Sequence, residues 1–164
     1  MTPQPGDIGL VTIPNAAGRL IRLAQWLNGD GYRNYEHAFV CVDNLSEVTI
    51  VEAEPGGAVL APLHYDNVLW LRCPPELGAA VATAARGLAG TPYSFLDYFA
   101  LAAVRFHLPS RRIRRYVASS GHLICSALAD AAACRGGWHL YSDGRLPGDV
   151  TPGDLTRLAT TEGA

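Results

Sequence analysis

Short apolar runs separated by turn residues dominate the first half of the chain, and they predict strands. Ile8 to Ile13 follows the turn Pro5-Gly6-Asp7 and reads as a first strand. Pro14-Asn15 then opens a different rhythm. Leu20, Ile21, Leu23, Ala24 and Leu27 recur at helical spacing, and Asn28-Gly29-Asp30-Gly31 stops them. Tyr35 to Val42 reads as a strand and Val48 to Ala53 as its antiparallel partner, joined by Asp43-Asn44-Leu45-Ser46. Glu54-Pro55-Gly56-Gly57 breaks that ladder. Further strands are predicted over Val59 to Leu63 and Val68 to Arg72, the latter closed by Cys73-Pro74-Pro75.

The second half changes period. Glu76 to Leu88 is an alanine-rich helical stretch that ends before Gly90-Thr91-Pro92-Tyr93, and the apolar segment Ser94 to Phe106 also permits a helix. After the cluster Arg111, Arg112, Arg114 and Arg115, the run Ser119-Ser120-Gly121 precedes a helix that carries Cys125 in its first turns. That helix reaches about Ala133, before Gly136-Gly137. Thr151-Pro152 caps and opens a last short helix. A small antiparallel sheet with helices before and after it in sequence is an α+β arrangement.

At 164 residues, 49% hydrophobic and 17% charged, the chain has the size and composition of one globular domain spanning residues 1–164. The net charge of −2 gives no overall attraction to nucleic acid. All 13 basic residues are arginine, so Schiff-base lysine chemistry and a P-loop lysine are excluded. Cys41, Cys73, Cys125 and Cys134 form no CxxC pair, and the five histidines form no HxH or HxxxH pair. Neither a metal site nor any other cofactor is expected, and the thiols are expected to be reduced. The N-terminus shows no signal-peptide pattern and no apolar run reaches the length of a membrane span, which predicts a cytoplasmic protein.

The candidate chemistry starts at Cys125. A thiol at a helix N-terminus feels the positive end of the helix dipole, which favours thiolate, the nucleophilic form. A thiolate nucleophile needs a base, and the base needs an orienting group. His37 is the best base, because it starts a strand at a sheet end. Alternation places His37, Phe39 and Cys41 on one face, while Ile50, Glu52 and Glu54 share a face of the partner strand. Near the open end of that hairpin, Glu52 and Glu54 come opposite His37. Glu52 lies within the apolar run Thr49-Ile50-Val51-Glu52-Ala53, where a carboxylate needs a partner. It is the first choice for the third member and Glu54 the second. His122 shares the nucleophile's helix and ranks below His37. His64, His107 and His139 have no evident catalytic neighbours. Tyr93, Tyr35 and Glu54 are candidate substrate-binding residues.

These motifs, in this order, resemble the circularly permuted NlpC/P60 hydrolases, a papain-like superfamily, and in particular its YiiX-like branch. Gly6-Asp7-Ile8 is similar to the opening strand motif, His37 to the histidine that begins a hydrophobic strand, and Val51-Glu52-Ala53 followed by Gly56-Gly57-Ala58-Val59 to the "IEA…GV" segment. Gly90-Thr91-Pro92-Tyr93-Ser94-Phe95, Ile124-Cys125-Ser126-Ala127-Leu128 and Thr151-Pro152-Gly153-Asp154-Leu155 complete the series. Ser94 stands where the family has Asp, and Ala127 where it has Glu. The resemblance implies a papain-like fold with a small antiparallel sheet or half-barrel flanked by helices. It implies a Cys125-His37-Glu52 triad, a thioacyl intermediate and cleavage of amide bonds in peptidoglycan stem peptides or of another acyl substrate. Tyr93 would line that site.

Two other readings stay open. Phe95 to Phe106 with the arginine cluster suits weak contact with an anionic membrane and lipid acyl hydrolysis or transfer. A non-catalytic module with an assembly partner in a larger particle, such as a phage tail or a cell-wall-penetrating device, is the other, and such a device would deliver the chain to the wall.

Overall fold

The computed structural model describes residues 2–14, 19, 35–54, 56–92, 125–145 and 147–161. Arg19 apart, the helix expected over 15–27 lies outside them. So do the segment Phe95 to Phe106, the cluster Arg111, Arg112, Arg114 and Arg115, and Tyr93, Ser94, His107 and His122.

Five strands form one open antiparallel sheet: β1 (Ile8–Val11), β2 (His37–Asp43), β3 (Thr49–Glu54), β4 (Gly57–Pro62) and β5 (Leu69–Leu71), in the order β4-β3-β2-β1-β5. Three helices are present among the described residues: α1 (Pro75–Arg86), α2 (Cys125–Arg135) and α3 (Pro152–Thr161). The class is therefore α+β. The hairpins β2–β3 and β3–β4 are local pairings. Only β1, which pairs with β2 on one side and β5 on the other, ties distant segments together.

Most boundaries shift by one or two residues from the sequence expectation, and two of the shifts have a plain physical cause. The turn at Gly56 does not break the ladder. Glu54 pairs directly with Gly57, so β4 starts two residues before Val59 and ends at Pro62. A backbone φ of +114° at Gly56 makes so tight a turn possible. The last strand contracts to three residues, Leu69–Leu71, because Arg72 leaves the ladder to reach Asp7 and Pro74-Pro75 starts α1.

The sheet has two unlike faces. Ile8, Leu10, Ala38, Val40, Val42, Val51 and Ala53 pack against Val81, Ala82 and Ala85 of α1 and Leu128, Ala129 and Ala132 of α2 in the main core. Every residue of α2 from Cys125 to Ala133 is buried. Its alanines make that possible, since small side chains let a helix be surrounded on all sides. Gly136, just past α2, is needed for close approach: a Cβ there would lie 2.6 Å from the backbone of Val81 in α1. On the other face, Val11, Phe39 and Ile50 form a smaller cluster with Tyr65, Val68 and Trp70 packed against it. The Phe39 ring covers Gly9, and a Cβ at residue 9 would overlap it.

Thr151 caps α3 as its sequence promised. Its hydroxyl accepts the Asp154 N–H at 3.1 Å, and the Asp154 carboxylate accepts the Thr151 N–H at 3.1 Å, a reciprocal capping box.

Candidate active site

The described part of the helix that carries Cys125 runs from that residue to Arg135. Cys125 abuts the start of β2. The sulfur lies 3.8 Å from the Glu36 carbonyl oxygen, to which the thiol donates. The His37 ring and the backbone N–H groups of Ala38 and Ser126 favour its thiolate form.

Alternation along β2 sends Ala38 and Val40 into the main core and turns His37 to the face of Phe39. The β2–β3 register pairs Phe39 with Glu52. His37 therefore meets Glu52 diagonally rather than directly, and its Nε2 lies 2.9 Å from Glu52 Oε2. Diagonal neighbours are within reach of long side chains. With Nε2 engaged by Glu52, Nδ1 is the ring nitrogen left for Cys125.

All three groups are buried: Cys125 is 5% exposed, His37 7% and Glu52 0%. Burial by itself opposes charge on each of them. For Cys125, the imidazolium and the two backbone donors outweigh burial and hold the thiol below its ordinary value. For His37, burial is outweighed by the sulfur and by Glu52, and its pKa is raised to about 9. For Glu52, burial is outweighed by hydrogen bonds from His37 and Tyr65, and its pKa is lowered. These directions favour thiolate, imidazolium and carboxylate over the neutral forms, with His37 keeping its proton up to about 9.

This gives a prediction for thiol reactivity. Alkylation of Cys125, followed by mass spectrometry of its peptide, should retain thiolate rates well below the roughly 8.5 of a free thiol. Cys41 and Cys73 serve as internal controls, because burial and the nearby Asp7 push both up to about 11. Cys125 should label first at neutral pH. Turnover, unlike labelling, should fall as the pH rises through about 9, where His37 loses the proton it must donate.

The remaining candidates separate. Glu54 shares the parity of Glu52 but sits exposed at the end of β3, where it pairs with Gly57. Tyr35 is half-buried against the main core. Cys41 lies at a register shift in β2, and its thiol donates to the Asp43 carbonyl oxygen at 3.7 Å, away from the site. All four cysteines are free.

Two residues that the sequence reading did not place here join the site. The Tyr65 hydroxyl donates to Glu52 Oε2 at 2.6 Å. His64, expected to have no catalytic neighbour, holds its Nε2 3.7 Å from Glu52 Oε1. Both come from the segment between β4 and β5, which folds back over the Phe39 face. That segment has no periodicity to mark the return. The only available signal was an aromatic residue beside a histidine in an otherwise turn-like stretch.

Among the described residues, no three His, Cys, Asp or Glu side chains group as a metal site, and no helix is long and apolar enough to cross a membrane. A thiolate beside an imidazolium, with backbone N–H groups around it, is equipped for nucleophilic attack on a carbonyl. No protein-family model matches this chain, and no curated protein does either.

Proposed function

We propose that the protein is a cysteine hydrolase with a papain-like fold. In this reading it cleaves amide bonds, with peptidoglycan stem peptides as the substrate class. The observation that carries the reading is the Cys125–His37–Glu52 line, buried where α2 meets the start of β2. The layout of a cysteine helix packed against an antiparallel sheet whose strand supplies the histidine also supports it. The choice of wall peptides over other amides rests on the resemblance of the motifs.

The Cys125 thiolate attacks the carbonyl carbon, and an Sγ–C bond forms. The negative charge moves to the carbonyl oxygen, toward the backbone N–H groups beside Cys125. As the tetrahedral intermediate collapses, the C–N bond breaks and His37 gives its proton to the departing amine. Water then attacks the thioacyl carbon while neutral His37 takes a proton from it. The Sγ–C bond breaks, the carboxylic acid leaves, and the thiolate–imidazolium pair is restored. Glu52 keeps the ring oriented throughout and stabilises it whenever it is charged.

The test is a digest of purified peptidoglycan read by mass spectrometry, with a lipid ester offered in parallel. New amine and carboxyl ends in the wall peptides are the expected result. Cleavage of the ester alone would transfer the site to acyl-lipid chemistry. No cleavage of either, together with sluggish Cys125 labelling, would leave a binding module.

A further inference from the structure

Glu52 is held in an unusual way. Its Oε2 receives both donors, His37 Nε2 at 2.9 Å and the Tyr65 hydroxyl at 2.6 Å. Its Oε1 is buried and has no hydrogen-bond partner, with His64 Nε2 standing off at 3.7 Å. A carboxylate bound through one oxygen to one donor can turn about its terminal bond and exchange its oxygens. A second donor on the same oxygen, arriving from a different direction, stops that rotation.

The Tyr65 hydroxyl is itself fixed from behind. Its ring stacks on Phe39 with centroids 5.2 Å apart and planes 15° from parallel. Phe39 is fully buried and meets Trp70 edge-on at 5.6 Å. The His64 ring lies 4.1 Å from Tyr65 on another side, and the His37 ring 5.7 Å away. The hydroxyl is therefore placed by an aromatic cluster and not by the bond it makes to Glu52.

Building on the hydrolase reading above, we propose that Tyr65 is a positioning residue of this site: it locks the Glu52 carboxylate so that Glu52 can hold His37 charged and aimed at Cys125. Tyr65 touches neither the sulfur nor the scissile bond in this scheme and acts only through Glu52. The ionisable groups around that carboxylate are His37 on β2, Glu54 on β3, His64 and Tyr65 between β4 and β5, and Cys125 on α2. Burial and the Glu52 charge push the Tyr65 phenol far up, so it remains a donor across the working pH range.

The experiment uses the full chain with Tyr65→Phe, which keeps the ring and its stack on Phe39. The readouts are the pH profile of Cys125 alkylation by iodoacetamide and the kinetics on a wall peptide. Losing one of two hydrogen bonds lets Glu52 take up a proton at higher pH. The acid limb of alkylation should then move up by about one pH unit, the scale of one charged hydrogen bond. The kcat should fall about tenfold or more with KM nearly unchanged. In a Glu52→Gln background the same Tyr65→Phe change should add little, because the route runs through the carboxylate. A Tyr65→Phe profile identical to wild type overturns the proposal. So does an effect that persists undiminished in Glu52→Gln. A wild-type Cys125 with the profile of an ordinary free thiol overturns the hydrolase reading as well, so the two failures are distinguishable.

Discussion

Cys125→Ala should eliminate hydrolysis and leave the fold intact. Among the described residues, no hydroxyl beside the sulfur is placed to substitute for it. Ser126, the next residue, turns its hydroxyl away to donate to the Val150 carbonyl oxygen at 2.6 Å. In enzymes of this type, removal of the nucleophile leaves only the contribution of binding and oxyanion donors, and a loss of about 10⁴-fold or more in kcat is the expected scale. Alanine keeps the Cβ within an alanine-rich helix, so the packing of α2 on the sheet changes little. The variant should also lower the His37 pKa from about 9, since the sulfur contributes the largest upward push on that ring. An NMR titration of the His37 ring reads that shift without requiring a substrate. Retained turnover, or a ring that titrates as before, would remove the thiolate–imidazolium pair from the mechanism.

The second large effect concerns stability. Asp7, 1% exposed, accepts three bonds: the Gln4 N–H at 2.9 Å, the Cys73 N–H at 2.9 Å and the Arg72 guanidinium. It thereby fastens the start of β1 to the end of β5 across the sheet. Asp7→Ala leaves the buried Cys73 N–H without its acceptor and the guanidinium with the Thr2 carbonyl oxygen at 3.3 Å in place of its carboxylate. Breaking a buried pair from one side costs about 3–5 kcal/mol. Arg72 is about one-third exposed and can turn toward water, so the lower end, about 3 kcal/mol, is expected. Asp7→Asn keeps one carbonyl acceptor and should cost roughly half as much. Urea unfolding with an unchanged slope measures both. An Asp7→Ala loss under about 1 kcal/mol would show that the β1–β5 junction is held by apolar packing alone.

Much of this arrangement was legible in the residues. The alternation of β2 and β3 put His37, Phe39 and Glu52 on one face before any coordinates, because period two leaves no freedom once a hairpin turn is located. The Ala/Leu-rich pattern around Cys125 put it in a helix, as found over Cys125–Arg135. Thr151-Pro152 marked the cap of α3. The aromatic backing of Glu52 was not legible. Tyr65 and His64 reach it through a stretch that is neither strand nor helix, and their placement depends on where β4 ends and β5 begins. Nor could local pattern reveal that β1 lies between β2 and β5, since that pairing is decided by tertiary contacts. Glu36 is a further case. It reads as a charged residue at a strand entrance, yet it is buried and its Oε2 accepts the Ile13 N–H at 2.7 Å. That bond joins the exit of β1 to the entrance of β2, one residue before His37.

The bare α-carbon at residue 9 extends the reach of the candidate site into the sheet. With no side chain there, the Phe39 ring can lie down across β1 and serve as the floor beneath Tyr65. A methyl group at that point would lift the ring and carry the phenol away from its acceptor. On the hydrolase reading proposed above, drift at this position would register first as lost turnover and only afterwards as lost thermal resilience.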